Sequence, residues 1–536
     1  MKERESFVRI SSLLWADILV AYALFVMQNY LTDVWKLSLT HAAAILNFWN
    51  GLYRILPLFF LFFVDAFLGN FTLLVISSMS YTLGIGFVTM STPPFLAKST
   101  GTCKQYEPEC ISHTQKALFY TGMVLIAVGV AGNLVSLKPF LQEQKKKPPQ
   151  DNEGAEPADT TRPPKFEVSQ VVGLVIVVVV GIAGAIALPY IKPWTLRFGI
   201  PAICTFVGTV LFLSGSCGYK MEGAKPDGSP LTKVTRVFVA ATRNIFQPYS
   251  DVRRHSFSDT SCLGVCTAAE VEEAKIAVRM VPMWMTFIVC GIVSSIGDTY
   301  FVEQSNNMKR NIGKLTLPPQ ILKLVKDRTG GFLSLLAGSY ILNSPNIKAP
   351  RNGIIAAMVF SVLCCITAAK MENKRLKVIR NHGLLDKPDD DVPMSIYWLI
   401  FQFVLLAGLD SFLEKSVAKF YKDQAPPSMT NYLQNFVRAV SGLGFMCSSL
   451  SVYIVGKISE RGGRPNWFQH TLNRSRLDRY YWVLACLSSV NLFVFLFVSR
   501  RYKYRKWEPV QGDEAPEAGG AYTDGYTEEN LASAIL

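Results

Sequence analysis

Apolar residues in this chain gather into long runs separated by polar breaks. The stretch NFWNGLYRILPLFFLFFVDAFLGNF, residues 47–71, contains an unbroken apolar run from Leu56 to Val64 and then Asp65 and Gly69. With the apolar residues back to Ala42 it supplies about 20 residues, enough to cross a hydrocarbon core of ~30 Å at ~1.5 Å per residue. Read the same way, the pattern predicts twelve helical spans: Ser12–Leu31, Ala42–Val64, Phe71–Met90, Ala117–Val135, Val168–Tyr190, Phe198–Leu213, Val278–Ile296, Pro318–Leu342, Asn352–Ala369, Ser395–Phe412, Tyr432–Val455 and Tyr481–Val498. Eleven have acceptable length and polarity. The eighth carries Lys323, Lys326, Asp327 and Arg328, charges that cost about 2.5–3.5 kcal/mol each at a bilayer centre. Either that helix enters later, near Gly330, or these side chains face a watery cavity.

Short connections imply antiparallel neighbours and therefore helical bundles. Residues 142–166 carry three consecutive lysines, several prolines and mixed acids, the composition of a disordered cytoplasmic loop. A longer polar and basic segment separates two sets of six spans. The expected organisation is an N-terminal bundle over 1–217, a cytoplasmic linker over 218–277, a C-terminal bundle over 278–505 and a disordered acidic tail over 506–536. Within the linker, Val234 to Ala241 reads as a short amphipathic helix on the inner membrane surface.

Composition narrows the class. Half of the 536 residues are hydrophobic and only 18% are charged, too apolar a balance for a typical soluble chain of this size. The net charge of +14 does not indicate nucleic acid, because the Lys and Arg flank apolar spans, where they set membrane orientation. Lys145 to Lys147 and the basic linker place those loops inside. The Lys and Arg between Met371 and Asp391 fall outside on this reading, against the rule.

The charged start MKERESFVRI leads directly into a span, so the first helix is expected to act as the targeting signal, with no removable leader. Most of the eleven cysteines lie inside apolar spans, where a thiol behaves as a small hydrophobe. Cys103 and Cys110 share a loop on the expected outer side and are candidates for a disulfide. Cys262 and Cys266 resemble half of a zinc site but lack nearby partner ligands, and no metal or other cofactor is expected.

Several strings are more specific than any composition. GSPLTKVTRVFVAA (228–241), VEEAKIAVRMVPMW (271–284), FVEQSNNMKRNIG (301–313), PMSIYWLIFQF (393–403), KDQAPPSM (422–429) and LNRSRLDRYYWVLACLSSVN (472–491) resemble the plant nitrate/peptide transporter family. The acid and glycine at Asp65 and Gly69, between two spans, resemble the gating loop after the second helix of major facilitator transporters. The resemblance covers essentially the whole chain outside its two disordered segments. It implies an all-α membrane protein with a twelve-helix major facilitator fold, two six-helix bundles around a central cavity, working by alternating access.

The chain also departs from that family. The first helix usually carries E-x-x-E-R, tied to proton coupling; those positions here are Leu13, Ala16 and Asp17, which makes proton symport doubtful. The fourth-helix lysine position falls at Leu134, with Lys138 one turn on, and the tenth-helix glutamate position at Lys419. Because the signs at Asp17 and Lys419 are both reversed, an inverted ion pair between the bundles is expected; the bland alternative is two peripheral charges reaching the interface. The arginine usually following the loop glycine is Asn70, so the loop's salt bridge is altered.

Asn47, Asn50, Tyr53 and Arg54 share nearly one face of the second span and are expected to line the cavity, with Tyr53 and Arg54 the foremost solute contacts. Polar packing between helices is the alternative for the asparagines. Trp284 and Ser294 on the seventh span are further candidates. Ser294 falls where some nitrate-carrying relatives have histidine, which weakens nitrate specifically. Asn431, Asn435 and Arg438 lie at helical spacing near the start of the eleventh span, Arg438 as a second anion ligand or an interfacial arginine.

The expected function is transport of a small hydrophilic anion or zwitterion, with nitrate, peptides, amino-acid derivatives and acidic metabolites or hormones all open. The rival is a non-transporting sensor or scaffold on a degenerate transporter fold. No nucleophile and base arrangement, phosphate loop or metal cluster supports an enzyme. The expected partners are the solute, the lipid bilayer and, if coupled, protons; a monomer in the plasma membrane is the default, a vacuolar or other internal membrane the alternative.

Overall fold

The computed structural model describes residues 2–92, 111–145, 168–220, 268–424 and 430–504, apart from isolated positions between 313 and 503. Among these residues there are twelve long helices: α1 Lys2–Phe25, α2 Leu39–Phe63, α3 Gly69–Met90, α4 His113–Lys145, α5 Val168–Tyr190, α6 Trp194–Ser214, α7 Ala268–Asp298, α8 Gln320–Leu342, α9 Ala349–Asn381, α10 Ile400–Gln424, α11 Thr430–Ser459 and α12 Leu477–Arg501. Many run past their apolar cores, because backbone hydrogen bonding continues where the side chains become polar. Short helices Met27–Asp33 and Tyr300–Asn306 prolong α1 and α7.

Nine stretches of the described chain are long and apolar enough to cross a membrane, and one of them, Leu39–Met90, contains both α2 and α3. In α5 the described apolar part is shorter, Val175–Tyr190. The charges of α8 lower its hydropathy, and the helix runs unbroken from Gln320 through Gly330 to Leu342. Outward-facing Ile203, Phe206, Phe332 and Phe493 are each well exposed, as a lipid-facing surface requires.

Helices α1–α6 and α7–α12 form two bundles that meet along two seams, α2 against α11 and α5 against α8. At the first seam the backbones nearly touch. A Cβ on Gly442 would lie 2.8 Å from the Gly51 carbonyl oxygen and 2.9 Å from Arg54 Cβ, so small residues allow the close approach. Between α2 and α3 one π-turn, Val64–Leu68, ends at Gly69, whose φ of 68° and ψ of 166° are open essentially only to glycine.

Two small ribbons interrupt the helical architecture at the end where α1 finishes and α2 begins, here the upper end. Strand β1 (Met308–Lys309) pairs in parallel with β4 (Val392–Ser395), and β2 (Asn311–Ile312) pairs antiparallel with β3 (Leu315–Thr316). Beneath them lies a buried polar network. Arg375 donates from Nε and Nη2 to the two carboxylate oxygens of Glu372 at 2.8 and 2.7 Å, and from Nη1 to Asn473 at 3.0 Å. Gln304 donates to Glu372 at 2.7 Å and accepts from Gln402 at 3.2 Å. The strings at 301–313, 393–403 and 472–491 are thus knitted into one structural unit. The same network explains part of the anomalous outer positive charge: Arg375 is neutralised internally, and Lys374 Nζ sits 3.2 Å above the Trp398 ring centroid.

Of the loop expected to be disordered over 142–166, residues 142–145 are instead the last turn of α4, whose hydrogen bonding continues into the polar stretch; its remainder, the amphipathic segment 234–241, the tail, and cysteines 103, 110, 262 and 266 lie outside the described residues.

Candidate functional site: a charged wall between the bundles

The second helix presents Arg54 toward the opposite bundle because Gly51 and Gly442 bring α11 against it. The Arg54 guanidinium lies over the Phe445 ring at 4.2 Å and beside Tyr53 at 5.2 Å. Its Nε is buried without a hydrogen-bond partner, and no carboxylate lies within 4 Å of it among the described residues. Its electrostatic neighbours across the seam are Asp298 on α7 and Asp410 and Glu414 on α10. Tyr53 is half-buried and packs against Trp49 at 5.1 Å. Asn50 is buried. One turn earlier, Asn47 is buried with both amide atoms unpartnered, and it lines an upper cavity of about 380 Å³ with Tyr300, Ser449 and Tyr453.

The wall facing Arg54 is built by α7, α8 and α10. Lys326 Nζ lies 3.2 Å from Asp410 Oδ2 and 3.9 Å from Asp298 Oδ1. Ser294 donates its hydroxyl to Asp410 Oδ1 at 2.8 Å, so Ser294 supports a carboxylate. On the adjoining turn Lys323 pairs with Asp327 at 3.3 Å, and Tyr22 on α1 donates to Asp327 at 3.3 Å. Lys323, Lys326 and Asp327 of the eighth helix therefore face neighbouring helices, where partners offset their desolvation.

Other sequence candidates fall elsewhere. Trp284 is buried within the second bundle, packed at a tilt against Phe436 at 4.2 Å and donating to the Tyr421 hydroxyl. Arg438 approaches Glu414 at 4.0 Å with its side chain 37% exposed. Lys138 is exposed on α4. Asn431 lies in α11, but its side chain is outside the description.

The expected Asp17–Lys419 pair is not formed in this conformation, and that expectation is corrected. Tyr81 on α3 donates to Asp17 at 2.5 Å, and Lys419 pairs with Asp423 at 2.9 Å one turn along its own helix. Local partners win because they immobilise neighbouring side chains on rigid helices and need no contact across the seam. The Leu13 and Ala16 side chains are buried in the first bundle, so packing occupies the positions where acids were sought.

At the lower end Asp65 accepts a 2.5 Å hydrogen bond from Tyr432 on α11, linking the loop after α2 to the second bundle. Asn70 donates to Glu143 on α4 at 2.5 Å, a neutral donor in place of the loop arginine. The described cross-links at the upper end are more numerous: Thr32 to Glu303 at 3.1 Å, Asn306 to Asp33 at 3.1 Å, the Leu39 amide to the His470 carbonyl at 3.3 Å, and Tyr190 to the Thr316 carbonyl at 2.8 Å.

Sequence reasoning missed Asp298, Asp410, Glu414 and Tyr22. The available signal was an acid at the margin of each of the seventh and tenth predicted spans, alongside the cations of the eighth.

Twelve helices in two bundles, with charged groups turned toward the seam, constitute the fold of a major facilitator-type membrane transporter. Comparison with known proteins gives the family. The chain matches the POT family (PTR2) over residues 71–328. Protein NRT1/PTR FAMILY 5.5 of Arabidopsis thaliana is 34% identical over 534 residues, covering 92% of this chain and 96% of that protein. NRT1/PTR FAMILY 5.12 of the same plant is 30% identical over 507 residues, covering 89% and 88%. An auto-inhibited POT family peptide transporter shares the fold with a TM-score of 0.63 at 16% identity, over 94% of this chain and 99% of that one. A POT family transporter in complex with 5-aminolevulinic acid does so with a TM-score of 0.59 at 12% identity, over 93% and 96%. This chain belongs to the NRT1/PTR (POT) family and is a multi-pass membrane transporter.

Proposed function

We propose that the protein moves a small hydrophilic anion or zwitterion by alternating access, with Arg54 as the principal anion ligand. The observation that carries this reading is a half-buried arginine whose Nε is buried without a hydrogen-bond partner, on the face of α2 packed against the other bundle. An intramembrane arginine with no carboxylate in direct contact among the described residues points to an anionic partner that comes and goes. Tyr53 and Asn50 flank it, and Arg438 is a second cation beside the same space. Complexes of distant fold relatives with sulfate and with 5-aminolevulinic acid are compatible with a solute of this kind.

In this reading residues 1–217 and 278–505 rock against each other, joined by the segment 218–277, with 506–536 as a tail. Asp65 and Gly69 belong to the lower gate and the Thr32–Glu303 and Asp33–Asn306 contacts to the upper one. Asp17 and Lys419 act within their own bundles. Proton coupling through the first helix is not part of the proposal, since Leu13 and Ala16 carry no titratable group. The protein works as a monomer, in the plasma membrane.

Uptake into proteoliposomes across a panel of small anions and zwitterions, with and without a pH gradient, tests the function. Arg54→Ala should raise the half-saturating concentration about 10- to 100-fold, the equivalent of one charge-assisted hydrogen-bonded contact of ~1.5–3 kcal/mol; an unchanged value would remove Arg54 from the site. Burial of the Leu13 and Ala16 positions favours the sensor or scaffold as the second reading, and failure of every solute to move would establish it in place of transport.

A further inference from the structure

We infer that Lys326 is a selectivity residue: a tethered ammonium that occupies the carboxylates where the ammonium of a zwitterionic solute would bind, so that the transporter favours plain anions. The inference rests on the anion-transport reading above and narrows its solute class.

Two acids from different helices, Asp298 and Asp410, converge on Lys326, and both are electrostatic neighbours of Arg54. Left alone, they would make the wall opposite the anion ligand a receptor for a cationic group, and a zwitterion would bridge the two. Lys326 prevents this. Its Nζ sits 3.2 Å from Asp410 and 3.9 Å from Asp298, and Ser294 takes the remaining Asp410 oxygen. The site is not sealed core: the side chains of Lys326 and Asp410 are 19% and 40% accessible, so a solute in the space between the bundles would reach them.

A tethered ammonium competes at an effective concentration of the order of millimolar or above, and it carries no translational cost of binding. Nearby, Lys323 is engaged with Asp327, and Glu414 is approached by Arg438 of α11. Arg54 has Asp298, Asp410 and Glu414 as longer-range electrostatic neighbours but no carboxylate within 4 Å among the described residues. The ammonium set between Asp298 and Asp410 fills the position a solute cation would take, while Arg54 has no carboxylate in direct contact among the described residues, an asymmetry that disfavours a solute ammonium. A lysine serving only to hold α8 against α7 and α10 would leave solute choice unaffected when replaced, and that difference supplies the test.

Transport is measured in proteoliposomes for matched acids differing by one ammonium group: pyruvate against alanine, and succinate against aspartate. Wild type should favour the acid of each pair. Lys326→Met should shift the acid-to-zwitterion ratio toward the zwitterion by roughly tenfold or more, the factor associated with one charge-assisted contact. Lys326→Gln, which retains a donor to Asp410, serves if the methionine variant does not fold and should shift the ratio in the same direction. Lys326→Arg should keep the wild-type ratio. A wild type that prefers the zwitterions, ratios unchanged in the Met and Gln variants, or a changed ratio in the Arg variant would each overturn the inference. If no compound moves, transport itself fails, and thermal stabilisation of wild type and variants by the same pairs decides the lysine's role separately. Equal stabilisation by both members of each pair in every protein, or none at all, overturns it.

Discussion

The buried Glu372–Arg375 pair supports a quantitative prediction. The side chains are 0% and 1% accessible, and the guanidinium forms two hydrogen bonds to the carboxylate. Glu372→Gln preserves shape but leaves a buried guanidinium uncompensated, a loss of about 3–5 kcal/mol. Arg375→Met leaves the Glu372 carboxylate with the Gln304 amide as its described donor and should cost a similar amount. Removing both charges together should cost well below the sum, with a coupling energy of about 2–3 kcal/mol, because neither charge is then stranded. The residual loss reflects the Asn473 and Leu472 acceptors that Arg375 now serves at 3.0 and 3.2 Å. Equilibrium unfolding of the four proteins in mixed detergent micelles, followed by tryptophan fluorescence, gives the cycle. Single variants as stable as wild type, or a double variant losing the full sum, would refute the account of this network as a charge-balanced clasp among α7, α9, α10 and the segment before α12.

Two further substitutions probe the architecture. Gly69→Ala forces a side chain into a backbone conformation with φ of 68° and should destabilise the protein by about 1–3 kcal/mol, read as a lower unfolding midpoint, whereas no change would mean that the turn can relax. Gly442→Leu places bulk where even a Cβ would lie 2.8 Å from the Gly51 carbonyl. It should cost about 1–3 kcal/mol by overpacking and widen the α2–α11 distance in pulsed spin-label measurements, and an unchanged distance would show that this seam is not set by backbone contact.

The amino-acid sequence by itself determined the number, order and class of the helices, since a run of about 20 apolar residues has few uses other than spanning a bilayer. It also identified the family, and it singled out Asp65 and Gly69 in the turn after α2 and Arg54 on that helix. It could not decide partnership. Asp17 and Lys419 carry complementary charges, yet each has a nearer partner, Tyr81 and Asp423, and charge signs alone do not reveal distance. The eighth span looked defective because hydropathy counts the cost of a lysine without the carboxylates that offset it. Those carboxylates lie on α7 and α10, far away along the chain, and only the packing of three helices brings Asp298 and Asp410 around Lys326. Local patterning fixes a helix because its hydrogen bonds join near neighbours; a charged wall between bundles is made of distant ones, so tertiary structure alone could assemble it.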